Sequence, residues 1–248
     1  MSTRFITTLP SRHVSLDNSL IMSGWELGLV ERRVIFLVLS GVDSSKEVSS
    51  TEWYGLHIKD YAEMCGITDT KNAYQIVREG LVNLFNKVIE IPLNEKKTRI
   101  RKFRWIQSME YDEVEHIVKL KWSDDIIPYI SELRKNFTCY RNSCVLPIDS
   151  KYTFRLYMLL EAERYRGHFG EIEITLSTIY IAWNIPKSLQ EFRYFKRDVL
   201  DKAIKELAEL KIALVEIVKY VKEGRKVSRI VLKYGLERLD ERKFIRSC

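Results

Sequence analysis

The chain has 248 residues, 46% of them hydrophobic and 30% charged, with a formal net charge of +7. That composition is ordinary for a soluble globular protein and suits one large domain or two small ones. The longest apolar run, "VIFLVLSGV" at 34–42, is far short of the roughly 20 residues a membrane span needs.

The opening stretch, "MSTRFITTLPSRHVSLDNSL", reads as a polar arm over 1–13. It has no apolar h-region, so no signal peptide is expected. "WELGLVERRVIFLVLS" (25–40) places Leu27, Val30, Val34 and Val38 at helical spacing. "WYGLHI" (53–58) reads as a strand and "KDYAEMCGI" (59–67) as a short helix. "TDTKNAYQIVREGLVNLFN" (68–86) reads as a longer helix, capped by Thr68 or Asp69. Strands are predicted at 87–93 and 99–111 around the polar turn "NEKK", and a third at 115–122. Ser123, Asp124 and Asp125 make a helix start, with Pro128 in its first turns, so a connecting helix is expected to about Asn136. Residues 137–148 read as a linker.

A second pass begins at Asp149. A helix capped by Asp149 or Ser150 runs to Gly167, followed by the alternating strand "EIEITL" (171–176). A short helix (177–185) is closed by Pro186, and one long helix is predicted over 188–210. Two strands around "KEGRK" complete the unit, and 237–248 reads as a tail. The order helix, strand, helix, helix, strand, strand therefore occurs twice. This is the order of a winged-helix domain, a helix-turn-helix with a β-hairpin wing, and the predicted fold is α+β with two such domains in tandem, 14–136 and 149–236. Two unrelated α+β domains would share the order only by chance.

The charge is unevenly placed. Residues 187–248 hold 17 Lys/Arg against 10 Asp/Glu, so the whole excess of +7 lies there. "KKTRIRKFR" (96–104) adds six basic residues and no acidic one. Two separated basic regions fit a polyanion touched at two places, whereas basic surface for solubility alone does not call for concentration. Both clusters fall on predicted hairpins.

On the 188–210 helix, Leu189, Phe192, Phe195, Val199, Leu200, Ala203, Leu207 and Leu210 share one side, which is expected to pack on the core. Gln190, Arg193, Tyr194, Arg197 and Asp201 lie opposite. Arginine bonds guanine O6 and N7 bidentately, and glutamine does the same for adenine. Tyr194 could meet a thymine methyl or a phosphate. Lys196 falls inside the apolar arc, and two readings stay open: it snorkels to a phosphate, or it is a solvated edge. The wing adds Lys222, Arg225, Lys226 and Arg229, placed to clamp backbone. In the first domain Lys71, Asn72, Gln75 and Arg78 lie on the corresponding helix, and Lys96, Lys97, Arg99 and Arg101 on the predicted wing. That domain is expected to hold phosphates more than bases.

Catalytic signatures are sparse. His13, His57, His116 and His168 are scattered, and no P-loop, GxSxG or GxGxxG occurs. Cys65, Cys139, Cys144 and Cys248 form no CxxC pair, and no second pair or nearby histidine completes Cys139 and Cys144. The cysteines read as reduced thiols of a cytoplasmic protein, and neither metal, cofactor nor enzyme activity is expected.

Several stretches in the right order resemble the replication initiator proteins of iteron-containing plasmids. They are "IIPYISELRKNFTCYR" (126–141), "SKYTFRLYMLL" (150–160), "YFKRDVL" (194–200) and "EGRKVSRIVLKY" (223–234). The resemblance spans roughly 14–235 and is looser in the first domain. It implies two winged-helix domains whose monomers bind direct repeats in an origin. With a host initiator they help open the duplex and load a replicative helicase. It also implies dimers, formed through the N-terminal domain, that bind an inverted repeat and repress the protein's own gene. By position, Lys196 and Arg197 match the family's basic pair, and Arg225 its wing arginine. Two such modules on adjacent major grooves would span about 20 bp. Two other readings of the same residues are a winged-helix repressor without an initiator role, and a DNA nicking or joining enzyme.

Overall fold

The computed structural model describes residues 3–5, 13–21, 23–94 and 98–236. They form two compact units, divided between Pro147 and Ile148.

In the first unit, β1 (Thr3–Phe5) and β2 (His13–Asp17) precede helix α1 (Leu29–Leu39). Then come β3 (Trp53–His57), α2 (Ile58–Met64), α3 (Thr70–Asn86), β4 (Val88–Pro92), β5 (Ile100–Arg104), β6 (Ile106–Asp112), β7 (Ile117–Trp122), β8 (Phe137–Arg141) and the short α4 (Asn142–Val145). The main sheet runs β1-β3-β7-β6, and β2–β8 and β4–β5 form separate antiparallel pairs. The core is built from Val34, Ile35, Leu37 and Val38 of α1, Ala73, Val77, Leu81 and Leu84 of α3, and Leu56, Val118, Leu120 and Trp122 of the sheet, all buried. Helices α1 and α3 come close because α3 carries Gly80. A Cβ there would stand 2.4 Å from Val30 Cγ1.

Four readings of this unit need correction. The stretch 99–111 is not one strand. β5 pairs with β4 and β6 with β7, so the chain passes from one sheet to another at the buried Trp105. The wing is therefore β6–β7, which pairs with β3, and β4–β5 is an additional hairpin between α3 and the wing. The connecting helix expected over 123–136 does not form. Pro128 sits in a single 3-10 turn (Ile127–Tyr129), Glu132 and Asn136 take φ of 50° and 58°, and Glu132 N–H and Leu133 N–H donate to Lys46 O and Ser44 O. Where a linker was expected over 137–148, Phe137–Arg141 pairs in register with His13–Asp17 and α4 follows. Part of the expected arm is likewise paired, Thr3–Phe5 running parallel to Trp53–Gly55.

In the second unit, α5 (Lys151–Ala162) is followed by β9 (Phe169–Thr175), α6 (Leu176–Ala182) and α7 (Phe192–Phe195). A π turn (Lys196–Leu200), α8 (Asp201–Glu209), β10 (Ala213–Glu223) and β11 (Lys226–Leu236) complete it. Ser150 caps α5 by accepting from Tyr152 N–H and Thr153 N–H. Glu206 of α8 accepts from Asp149 N–H at 2.8 Å, Ser150 N–H at 3.2 Å and Thr153 Oγ1 at 2.5 Å, tying the start of α5 to α8. The sheet runs β10-β11-β9, with β11 in the middle. Unit 1 has the same strand logic: β9 matches β3, β10 matches β6 and β11 matches β7. Both units are thus winged helices, and only the first carries an inserted hairpin.

Candidate nucleic-acid interface

The helix predicted over 188–210 is built in pieces. Pro186 and a 3-10 turn (Lys187–Leu189) precede it, Glu191 is its N-cap, and regular helix begins at Phe192. Gln190 therefore lies before the helix. Its Nε2 donates to Ile185 O at 2.8 Å, which occupies the amide proposed for base reading. Further on, Asp201 N–H reaches back to Lys196 O, five residues away, closing the π turn. The packed side survives this break: Phe195, Val199, Leu200, Ala203 and Leu207 are all buried. Phe195 meets Tyr180 of α6 edge to face at 5.0 Å, and Phe192 meets Tyr220 of β10 at 5.5 Å. These two ring pairs fix the helix against α6 and against the wing.

Arg193 and Arg197 are exposed, and Tyr194 is half-buried between them. Arg197 donates to Asp198 from Nε (3.1 Å) and Nη2 (2.6 Å), and its guanidinium carbon stands 5.4 Å from the centre of the Tyr194 ring. The Arg197 guanidinium beside Asp198 holds that carboxyl below the usual aspartate range, and Lys202 Nζ at 3.6 Å adds to this. Lys196 does not reach for solvent alone. Its Nζ donates to both oxygens of Asp201 at 2.8 Å, and this bond raises its pKa. The i, i+5 spacing of that pair is the spacing of the π turn, on which side chains five apart share a face.

The wing turn is Gly224–Arg225, with Glu223 paired to Lys226 and Gly224 at φ 62°. A left-handed residue at this position is the ordinary use of glycine in a two-residue hairpin. Lys222, Arg225 and Lys226 are exposed at this tip. Arg229 is not at the tip. It lies up the strand and binds Glu173 Oε1 of β9 at 2.6 Å.

In the first unit, Asn72 and Gln75 are exposed on α3, while the Lys71 side chain is outside the described part. Gln75 Nε2 donates to Glu79 Oε1 at 2.5 Å. Arg78 is drawn to the wing: it lies 3.1 Å from Glu113, donates to Tyr111 Oη at 3.2 Å and stacks 4.5 Å from that ring's centre. The wing tip itself is acidic, with Asp112, Glu113 and Glu115. Asp112 accepts Glu115 N–H and Val114 N–H, which hold its carboxyl below the usual range. Among the described residues, the basic ones predicted for this wing are on the inserted β4–β5 hairpin instead. Arg99 and Arg101 are exposed there, and Lys96 and Lys97 fall outside the described residues. Buried Ile89, Ile91 and Phe103 root this hairpin, and Phe103 stacks on Tyr129 at 5.6 Å.

Sequence reasoning placed Asp201 on the outer face but missed that Asp198 and Asp201 pair with Arg197 and Lys196. "KRDVLD" holds them in plain view, but regular α geometry turns neither toward its partner. Among the described residues no group of three or more His, Cys, Asp or Glu could hold a metal, and no helix is long and apolar enough to cross a membrane.

Comparison with known proteins agrees with this architecture. Residues 13–161 match the family model "Initiator Replication protein, WH1", and residues 175–234 match "Initiator Rep protein, WH2". The chain belongs to the initiator replication protein family. It is 27% identical to the PI protein of Escherichia coli over 244 residues, covering 86% of this chain and 79% of that protein. Its fold is similar to the crystal structure of Pi initiator protein in complex with iteron DNA. The TM-score is 0.79 at 23% identity, over 94% of this chain and 100% of that one. As in that family, the two winged-helix domains follow each other in one chain.

Proposed function

We propose that this initiator acts by binding direct repeats of double-stranded DNA in a plasmid origin, and that it is a binding protein rather than an enzyme. One arrangement carries the reading. In the second unit an exposed Arg193–Tyr194–Arg197 face stands on a helix locked by Phe192–Tyr220 to a wing whose tip holds Lys222, Arg225 and Lys226. A guanidinium face beside a cationic hairpin suits base reading flanked by phosphate clamping. That the Pi initiator, a protein of similar fold, was solved in complex with iteron DNA supports binding to DNA repeats. In the first unit, Arg99 and Arg101 of the inserted hairpin hold phosphate, because the wing tip there is acidic and Arg78 is bound to it. Dimerisation through the first unit, repression of the protein's own gene by the dimer, contact with a host initiator and a replicative helicase, and a cytoplasmic location complete the proposal.

A minimal plasmid carrying the neighbouring DNA tests it. The plasmid should replicate only when this gene is supplied, and the protein should protect direct repeats of about 20 bp within it. Repression of the gene without support of replication would leave a repressor instead. Supercoiled origin DNA incubated with the pure protein and magnesium should stay un-nicked; a nick abolished by a single tyrosine or carboxylate change would make it an enzyme.

A further inference from the structure

Arg197 and Asp198 are neighbours in the chain, and side chains of neighbouring helical residues do not normally face each other. Here they meet closely, through Nε to Oδ1 at 3.1 Å and Nη2 to Oδ2 at 2.6 Å. These are the two donors on the side edge of the guanidinium. A guanidinium has five N–H donors, so the pairing leaves a second fork free, made of one hydrogen on Nη1 and one on Nη2. Two parallel donors in one plane are what guanine O6 and N7 accept. The Arg197 side chain is 62% exposed while that of Asp198 is 25% exposed, so the carboxylate sits toward the body and the fork faces outward. The Tyr194 ring, 5.4 Å from the guanidinium carbon, borders it on another side. Arg193, one turn earlier, has no such partner among the described residues.

We propose that Asp198 is a positioning residue for sequence reading. It grips Arg197 by the side edge and presents the end fork to a guanine. The inference rests on the DNA-reading role proposed above for this helix. A free arginine gives up rotamer freedom when it orders on a base, and Asp198 has already taken most of that freedom away. The carboxylate also offsets the charge of Arg197, so it weakens that side chain's pull on phosphate. It therefore favours the one register in which Arg197 meets guanine and disfavours all others.

The test uses the full chain as wild type, Asp198→Asn, Arg197→Ala and the double variant. Each is titrated against a duplex repeat selected by the wild type from a random pool, and against a scrambled duplex at the same salt. Asparagine keeps the size but offers one acceptor in place of two. Asp198→Asn should weaken binding to the repeat by roughly tenfold while tightening binding to scrambled DNA by about twofold. In the Arg197→Ala background it should no longer weaken binding to the repeat. A scan of the repeat with 7-deazaguanine, which lacks the N7 acceptor, should find one position that costs the wild type affinity, costs Asp198→Asn less, and leaves Arg197→Ala unaffected. If Asp198→Asn tightens both duplexes by one factor, Asp198 is only a repelling charge and the inference fails. It fails equally if the loss on the repeat persists without Arg197. A wild type that holds both duplexes alike would instead overturn the reading role of the helix, and the inference with it.

Discussion

Lys196 shows how a single side chain can be misplaced by a sound rule. At roughly 100° per residue it falls on the apolar side of its helix. The π turn adds a residue to the local repeat, and Lys196 comes to lie over Asp201 with two bonds of 2.8 Å. That pair gives the ammonium a partner that neither reading of Lys196 included. Arg193 was legible because it precedes the break in register, and Arg197, inside the π turn, still emerges exposed. Gln190 was not, because the helix start moved from 188 to Phe192. Two outcomes are expected here. Replacing Arg197 with Ala should lower affinity for the repeat, relative to scrambled DNA, by roughly 5- to 150-fold. In a carbon-detected NMR titration, the Asp198 carboxyl should titrate below the ordinary aspartate range and move back toward it in Arg197→Ala. Its folded pKa is depressed, so whatever the pair contributes is present above about pH 4 and is lost as pH falls through the depressed value.

Helices announced themselves through spacing and caps, and strands through alternation, but alternation does not say which strand pairs with which. Strands β4 and β6 were both visible as apolar-polar runs. That β6, not β5, belongs to the wing follows from its pairing with β7, which only the packed chain reveals. The same limit hid β8: Thr138 and Tyr140 are buried in alternation, yet their partner strand lies 120 residues earlier. The start of α5 was readable because its cap is local. Ser150→Ala should destabilise the second unit by about 0.5–2 kcal/mol, measured by thermal unfolding. Gly80→Ala should destabilise the first unit although alanine favours helix. Its methyl has no room beside Val30, so α1 and α3 must part.

Charge was legible as an amount and only partly as a place. The excess in the last quarter sits mainly on the wing strands of the second unit, where residues 211–236 hold seven Lys/Arg against two Asp/Glu while 188–210 hold five of each, and the described part of the other basic cluster, 98–104, lies on an inserted hairpin rather than on the wing. The division of labour that follows is measurable. Replacing Arg99 and Arg101 together with Ala should flatten the salt dependence of binding by about two units of slope and leave the preference for the repeat intact. Replacing Arg225 and Lys226 should flatten it similarly, whereas Arg197→Ala should change preference with little change in slope. The two wing tips carry opposite signs, Asp112, Glu113 and Glu115 on one and Lys222, Arg225 and Lys226 on the other. Taken singly, the second tip draws a polyanion in and the first turns it away, so two hairpins of the same descent behave as a hand and a fender.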